Sequence, residues 1–287
     1  MVATLNQVEN FISVLMQYDI QNSPTSYSLI KNSFFALTIP YPVIPLKAGT
    51  RFVRCRLHLN NEMFFYKIDE ISHRKDVLNI ETFGRANEPI QSIFYASDKQ
   101  EISFIEASNI IKNNNSLPFE TVTMGIWEVQ EPIKTAIILS NELIKGENEI
   151  IEVATAQFMS LIRQDDIQKS EPHLKFLDFI SKQYSKDVKR DFSKYKISCA
   201  FSNYIFFNKW IDPSDKRLKH VDAIVYPSTL DITGINIAIH PRAIKQGKLK
   251  LVAARKSTMK RQEGLIYLQE DIVDHKSIDY INGDIIW

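Results

Sequence analysis

The spacing of apolar and polar residues along the chain predicts strands before and after a central group of helices. Alternation with a period of two predicts strands at 51–58, 63–69, 92–96, 123–129, 135–139, 222–226, 235–239, 249–254 and 264–268. Apolar residues at helical spacing predict helices at 5–18, 150–163, 172–189 and 196–210. This order predicts an α+β fold in which a helical insertion separates two parts of a mixed or antiparallel sheet.

The same pattern divides the 287-residue chain into three segments. Residues 1–49 are predicted to be an N-terminal helical extension, and residues 50–242 the main domain, with the helical insertion at about 146–212. Residues 243–287 are predicted to be a C-terminal extension that packs on the core.

Two neighbouring elements are predicted to carry polar side chains toward the interior. In the strand at 92–96 the alternation puts Tyr95 on the same face as an apolar neighbour. Ser97 and Gln100 match a capping box, which predicts a helix that runs to about Lys112.

A carboxylate lies on the apolar stripe of that predicted helix. Glu106 stands four residues after Ile102 and four before Ile110, so it faces the core with them. Arg85 lies upstream in a predicted turn and can reach the carboxylate. Buried polar groups cost free energy. The pattern therefore indicates either a structural ion pair, with Tyr95 as a core aromatic residue, or a binding site.

Several short blocks, in order along the chain, resemble the RES-domain family over roughly residues 50–242. The blocks are Phe-Val-Arg-Cys-Arg at 52–56, Gly-Arg-Ala-Asn-Glu-Pro at 84–89, Ile-Phe-Tyr-Ala-Ser at 93–97, Phe-Ile-Glu at 104–106, Tyr-Pro-Ser at 226–228 and Gly-Ile-Asn at 234–236. The chain departs from the family at Ala86, where many members have an aromatic residue, and at 88–90, where the loop differs.

This resemblance implies an ADP-ribosyltransferase-like core and an enzyme that degrades NAD⁺ by phosphorolysis or hydrolysis. It implies Arg85, Tyr95 and Glu106 as catalytic residues, and NAD⁺-binding roles for Arg54, Arg56, Asn87 and Ser228. NAD⁺ would then be a substrate and not a cofactor, inorganic phosphate is a possible co-substrate, and a helix-turn-helix antitoxin protein is the implied partner. From the residues alone, Arg54 and Arg56 fit a solvated strand face equally well, and Ser228 fits a turn.

The implied chemistry agrees with these residue types. Loss of nicotinamide leaves positive charge on the ribose carbon, which a fixed carboxylate such as Glu106 can stabilise. A guanidinium such as that of Arg85 binds phosphate oxygens in a fork geometry. Two alternatives remain open: a transferase that places ADP-ribose on a macromolecule, and a scaffold without activity in which Arg85 and Glu106 form a structural pair.

Composition narrows the class of protein further. The 35 basic and 34 acidic residues give a net charge of +1, which argues against nucleic-acid binding across the whole surface, although residues 242–261 contain basic residues and no acid. The two cysteines are far apart and predict neither a disulfide framework nor a zinc site. No Gly-rich dinucleotide loop, signal pattern or membrane-length apolar run is present, so the sequence predicts a metal-free, cytoplasmic protein.

Overall fold

The computed structural model of the chain defines its helices and strands. It describes residues 3–21, 23, 25–36, 41–58, 64–108, 119–139, 148–164, 167–187, 191–208, 210–211, 218–228, 234–262 and 265–287. The helices are α1 Leu5–Gln21, α2 Ser26–Ser33, α3 Gln100–Ala107, α4 Glu149–Gln164, α5 Ile167–Tyr184, α6 Lys196–Phe207 and α7 Pro241–Lys245. The strands are β1 Val43–Leu46, β2 Arg51–Leu57, β3 Phe94–Ser97, β4 Phe119–Val129, β5 Ile133–Ile137, β6 Trp210–Ile211, β7 Leu218–Lys219, β8 Ala223–Pro227, β9 Ile235–Ile239, β10 Leu249–Gln262, β11 Leu265–Asp274, β12 Ser277–Asp279 and β13 Asp284–Ile286.

Nine of the strands form one mixed sheet in the order β1-β5-β8-β9-β3-β2-β4-β10-β11. Within the described residues β5 and β8 run parallel, and the other neighbouring pairs of this sheet are antiparallel. Helices α4, α5 and α6 lie between β5 and β8 in the chain, as the parallel pair requires a long crossover. The predicted α+β class with a mixed sheet is confirmed.

The shortest strand pairing described in this sheet is the one between β2 and β3. Only Val53 and Ser97 pair there, whereas β2 pairs with β4 along its whole length and β3 pairs with β9 along its whole length. The two halves of the sheet therefore separate on either side of this one contact. A cleft can form at such a separation, because strand ends and side chains there are not covered by a neighbouring strand.

The N-terminal helices pack into the body of the protein. Phe34, which follows α2, contacts Phe201 of α6 with ring centroids 5.3 Å apart, and Phe201 contacts Phe176 of α5 at 5.6 Å. Val8 and Leu15 of α1 are fully buried in the same cluster. This cluster covers the face of β8 and β9 that carries Ile224 and Ala238, among others. Residues of the predicted N-terminal extension thus contribute to the core.

The C-terminal residues extend the sheet. Strand β10 pairs with β4 from Leu249 to Lys260 and forms a hairpin with β11, which is the outer strand. The strands predicted at 249–254 and 264–268 are therefore parts of longer ones. Among the described residues, no helix combines the length and apolar character needed to cross a bilayer.

Two local predictions are wrong. Residues 64–67 are irregular and lead into a 3₁₀ helix, Ile68–Ile71, where a strand was predicted at 63–69. The reason is that the Glu70 carboxylate accepts hydrogen bonds from the backbone N–H groups of Tyr66 and Lys67, both at 2.8 Å, and so turns the chain. 

The second wrong prediction is the capping box. Ser97 is the last residue of β3, and its hydroxyl donates to Asn236 Oδ1 at 2.5 Å, so it does not cap α3. Helix α3 starts at Gln100 after Lys99 and ends at Ala107, short of the predicted end at Lys112. Residues 109–112 lie outside the described residues.

Candidate functional site

A pocket of about 360 Å³ lies where the two halves of the sheet meet. Its walls come from β2, β3, α3, β8, β9, the segment at 80–87 and the 3₁₀ helix Phe192–Tyr195. Residues far apart in the chain are thereby brought together. The predicted site residues in its lining are Arg54, Arg85, Asn87, Tyr95 and Glu106.

The loop that carries Arg85 is fixed by Tyr95. The Tyr95 hydroxyl donates to Asn87 Oδ1 at 2.8 Å and accepts from the backbone N–H of Ala86 at 2.9 Å. The N–H of Gly84 donates to the carbonyl of Asn87 at 2.9 Å and closes the turn. The resemblance implies a catalytic role for Tyr95, and in the structure its hydroxyl is bonded to the loop. Its role in this geometry is to position Arg85.

Arg85 is held by the end of α5. Its Nη1 donates to the carbonyl oxygens of Tyr184 and, at 3.1 Å, Lys186, and its guanidinium lies over the Tyr195 ring, 4.8 Å from the centroid. No ion pair joins Arg85 to Glu106, although both line the pocket, so the predicted structural pair is not formed. The carbonyl contacts use one nitrogen of the guanidinium and leave Nε and Nη2 able to donate to a ligand.

Arg54 brings a second guanidinium to the pocket from β2. Its Nε donates to the carbonyl of Ser72 at 3.0 Å and its Nη1 to the carbonyl of Tyr95 at 2.8 Å, while the group lies over the Phe94 ring. Burial, together with the nearby charge of Arg56, lowers the pKa of Arg54 to about 10, so it remains a cation at neutral pH.

Neither of these two cations has an anionic partner among the described residues. A partly buried charge that lacks an opposite charge is costly, and a bound anion would offset that cost. The pair of guanidiniums in the pocket therefore favours a ligand that carries phosphate or carboxylate groups.

The Glu106 carboxylate is oriented by a chain of hydrogen bonds across the sheet. Asn236 of β9 donates from Nδ2 to Glu106 Oε1 at 3.1 Å, and its Oδ1 accepts from Ser97 Oγ of β3 at 2.5 Å. A carboxylate accepts hydrogen bonds, whereas a serine hydroxyl can donate or accept, so the carboxylate decides that the N–H₂ group of Asn236 faces Glu106 and that Oδ1 accepts from Ser97. Asn236 thereby positions Glu106.

Two aromatic residues of the pocket were not among the predicted site residues. Tyr195 stacks on Arg85, and Tyr226 of β8 is only 4% exposed and lines the pocket. The Tyr-Pro-Ser block contains Tyr226, but the serine was selected from it. Burial raises the pKa values of Tyr95 and Tyr226 well above 10, so both phenols stay protonated and act as hydrogen-bond partners, not as bases.

Two predicted NAD⁺-binding residues lie outside the pocket lining. Arg56 donates to the carbonyl of Glu70 and covers the Phe65 ring, with 5.0 Å between guanidinium and centroid. Ser228 is buried after β8, where its N–H donates to the carbonyl of Gly234 at 3.2 Å. Asn87 does line the pocket, but its Oδ1 accepts from the Tyr95 hydroxyl and its Nδ2 donates to the carbonyl of Glu88.

The chain was also compared with known proteins. It matches neither a protein-family model nor a curated protein. The case for a function therefore rests on what the pocket can do. It joins one oriented carboxylate, two guanidiniums with unused donors, and two protonated tyrosines, which together suit a ligand with anionic groups and a centre that becomes positively charged.

Proposed function

We propose that this chain is an NAD⁺-consuming enzyme that cleaves the bond between nicotinamide and ribose. The observation that carries the proposal is the meeting of Arg54, Arg85 and Glu106 in one pocket, from three segments that the RES-family resemblance had marked independently. The resemblance implies that these residues serve one NAD⁺ site, and in the structure all three line the same pocket. A shared pocket is what a common ligand requires.

In the proposed reaction the carbon–nitrogen bond breaks and its electron pair leaves with nicotinamide. Positive charge then develops at the ribose carbon, and the carboxylate of Glu106 stabilises it. Water or inorganic phosphate forms the new bond to that carbon. Attack by water releases a proton and gives ADP-ribose, whereas attack by phosphate gives a phosphorylated ADP-ribose.

The guanidiniums of Arg54 and Arg85 hold the diphosphate of NAD⁺ with the donors that their carbonyl contacts leave unused. Tyr195 and Phe192, which line the pocket, offer aromatic surface to a ring of the ligand. The pocket of about 360 Å³ lies near the lower end of the usual range for small-molecule sites, roughly 300–1,000 Å³. It suits the nicotinamide riboside half of the dinucleotide, with the adenosine half outside.

The test is NAD⁺ consumption by the wild-type protein, Glu106→Gln and a control, Glu101→Gln, with and without phosphate and with products identified by mass. Glu101 lies in the first turn of the same helix and is exposed, so its variant makes the same chemical change away from the pocket. We expect Glu106→Gln to lose about 100-fold or more of the activity, as when one stabilising group is removed from a charged transition state. Glu101→Gln should behave as the wild type.

Other outcomes lead elsewhere. ADP-ribose retained on protein would indicate the transferase, in which a macromolecule replaces water or phosphate. If the folded wild-type protein neither consumes NAD⁺ nor modifies protein, the proposal is wrong, and a scaffold without activity, in which Arg85 is held by backbone carbonyls and not by Glu106, replaces it. We place the enzyme in the cytoplasm, where its activity depletes NAD⁺. The proposal therefore includes a partner protein of the helix-turn-helix antitoxin type that neutralises this activity.

A further inference from the structure

The hydroxyl of Tyr226 has no hydrogen-bond partner among the described residues, although the side chain is 4% exposed. Two other tyrosines of this region, one partly and one fully buried, differ. Tyr95 is bonded to its loop, and the hydroxyl of Tyr184 lies 2.5 Å from Ser202 Oγ. The oxygen of Tyr226 is not sealed off from the pocket that the residue lines. A hydroxyl that opens on a pocket and makes no bond to the protein can bond a ligand there.

The surroundings of Tyr226 hold the phenol in a fixed place. Its strand, β8, is buried throughout and lies between β5 and β9. The ring packs against that of Tyr184 with centroids 5.2 Å apart. A hydroxyl carried on the rigid centre of a sheet is presented to the pocket with little freedom, which favours selective recognition.

The charged neighbours of Tyr226 indicate which part of the ligand it meets. Tyr226 stands opposite Asn236 in the sheet, and the Asn236 amide donates to Glu106 Oε1. On its other side Tyr226 packs against Tyr184, whose carbonyl oxygen accepts from Arg85. Tyr226 therefore lies between the residues that hold Glu106 and Arg85, and all three side chains line the same pocket. In NAD⁺ the ribose lies between the bond that is cleaved and the diphosphate. With the cleaved bond at Glu106 and the diphosphate at Arg85, the ribose lies against Tyr226.

We propose, on the basis of the function proposed above, that the Tyr226 hydroxyl forms a hydrogen bond with a hydroxyl of the nicotinamide ribose. Tyr226 is then a residue that determines specificity for ribose over deoxyribose. A site built to bond a substrate hydroxyl strongly rejects an analogue that lacks it, because the polar group of the protein is left without a partner. Tyr226→Phe removes that group and with it the discrimination.

The experiment compares NAD⁺ with analogues that lack the 2′- or the 3′-hydroxyl of the nicotinamide ribose, in the wild type, Tyr226→Phe and Tyr184→Phe. The measured quantity is the ratio of kcat/KM for NAD⁺ to kcat/KM for each analogue. Intrinsic differences in reactivity between substrates cancel when this ratio is compared between variants. We expect the ratio for one analogue to fall about tenfold in Tyr226→Phe, which corresponds to about 1.4 kcal/mol for one hydrogen bond.

Tyr184→Phe is the matched control, since it removes a buried hydroxyl that bonds Ser202 and does not line the pocket. It should keep the wild-type ratio. Binding of ADP-ribose gives a second measurement that needs no turnover, and Tyr226→Phe should weaken it by a similar factor. The thermal transition of each variant shows that it is folded.

The outcomes separate the two proposals. If the wild type consumes NAD⁺ and folded Tyr226→Phe keeps both the wild-type ratio and the wild-type affinity for ADP-ribose, the role of Tyr226 is wrong while the proposed function stands. If the wild type neither consumes NAD⁺ nor binds ADP-ribose, the proposed function is wrong and the inference about Tyr226 falls with it.

Discussion

Two charged side chains of the pocket are held by partners far away in the chain. Glu106 depends on Asn236, and Arg85 depends on the carbonyl oxygens of Tyr184 and Lys186. Such contacts join α3 to β9 and the Arg85 loop to the end of α5. The orientation of the charged groups is therefore a property of the complete fold, and a small displacement of any partner moves a charged group.

Gly84 is required by the close contacts of the Arg85 loop. A Cβ atom at this position would stand 2.2 Å from Asn87 Oδ1 and 2.8 Å from the Tyr95 hydroxyl. We expect Gly84→Ala to separate the tyrosine from the loop, destabilise the protein by about 1–3 kcal/mol as overpacking does, and abolish ADP-ribose binding. Unfolding by denaturant and ligand titration measure the two effects.

The control for this prediction is Gly247→Ala. Gly247 has a φ of +74° and nothing within 4 Å of its Cβ position, so an alanine there costs only backbone strain of about 1–2 kcal/mol. It should weaken stability to a similar degree without affecting the ligand. Equal ligand affinity in Gly84→Ala and Gly247→Ala would contradict the role that we give to the loop.

The residues of the pocket were easier to predict than their partners. Arg85, Tyr95 and Glu106 carry side chains whose chemistry is visible in the sequence, and all three line the pocket. The partners of Arg85 are backbone carbonyls about 100 positions away. Every residue has a carbonyl, so no pattern of side chains marks the two that are used. Tyr226 was overlooked because its strand reads as uniformly apolar.

At the scale of elements, local sequence patterns predicted correctly the strands and helices that need only an apolar face to pack against and not one particular partner residue. The strands β2, β3 and β9 and the helices α1 and α6 lie close to their predicted positions, because alternation and helical spacing reflect which face is buried. The local patterns failed where one side chain changes the course of the backbone, as Glu70 does before the 3₁₀ helix. They also failed where a distant residue bonds the predicted capping group, as Asn236 bonds Ser97.

Helix α7 is capped by a histidine that must be neutral. His240 Nδ1 accepts a hydrogen bond from the N–H of Arg242, and burial and the charge of Arg242 lower the pKa of His240 to about 4. An unfolded histidine has a pKa of about 6.5, so below that pH the unfolded state binds the proton more readily. Stability is therefore complete above about pH 6.5 and falls as the pH is lowered toward 4.

His240→Asn tests this link, since asparagine is also a good N-cap but does not titrate in this range. Buried His73 also has a pKa of about 4, so the variant should lose only part of the slope, roughly half, between pH 6.5 and 4.5. Asp222, which pairs with Arg242, titrates below this window, because its hydrogen bonds from Lys248 and Arg242 outweigh burial and lower its pKa. The free energy of unfolding measured across the window gives the answer, and an unchanged slope would contradict the assignment.

At the scale of the whole molecule, the pocket lies where the sheet is least continuous. Strand β2 supplies Arg54 from one half, and β3 and β8 supply Tyr95 and Tyr226 from the other, with Val53 and Ser97 as the joining pair. A ligand in this pocket contacts both halves. The fold thus places charged side chains beside the single residue pair that joins β2 to β3.

Six of the eight basic residues at 242–261 are paired with acids or lie over aromatic rings. Arg255 pairs with Asp274 and Lys260 with Glu270 across the β10–β11 hairpin, and Arg242 and Lys248 share Asp222. Two further lysines lie over aromatic rings, Lys250 over Tyr280 and Lys256 over Phe64. Acids and aromatic residues from other segments neutralise or cover a run that contains no acid of its own.

We therefore expect no binding of duplex DNA by the wild-type protein at physiological salt, as measured by fluorescence anisotropy. The double variant Glu270→Gln/Asp274→Asn releases Lys260 and Arg255 and should bind more tightly, with a salt dependence that steepens by about 0.9 per phosphate contacted. Glu9→Gln/Asp178→Asn changes the net charge equally but releases lysines of the helical layer, Lys175 and Lys182. If both variants gain the same affinity for DNA, the added net charge alone is responsible. If the wild-type protein already binds DNA, the ion pairs of the hairpin do not mask its cations. A gain confined to the hairpin variant would show that strand pairing, through the acids of β11, removes a polyanion site which the sequence of β10 would otherwise provide.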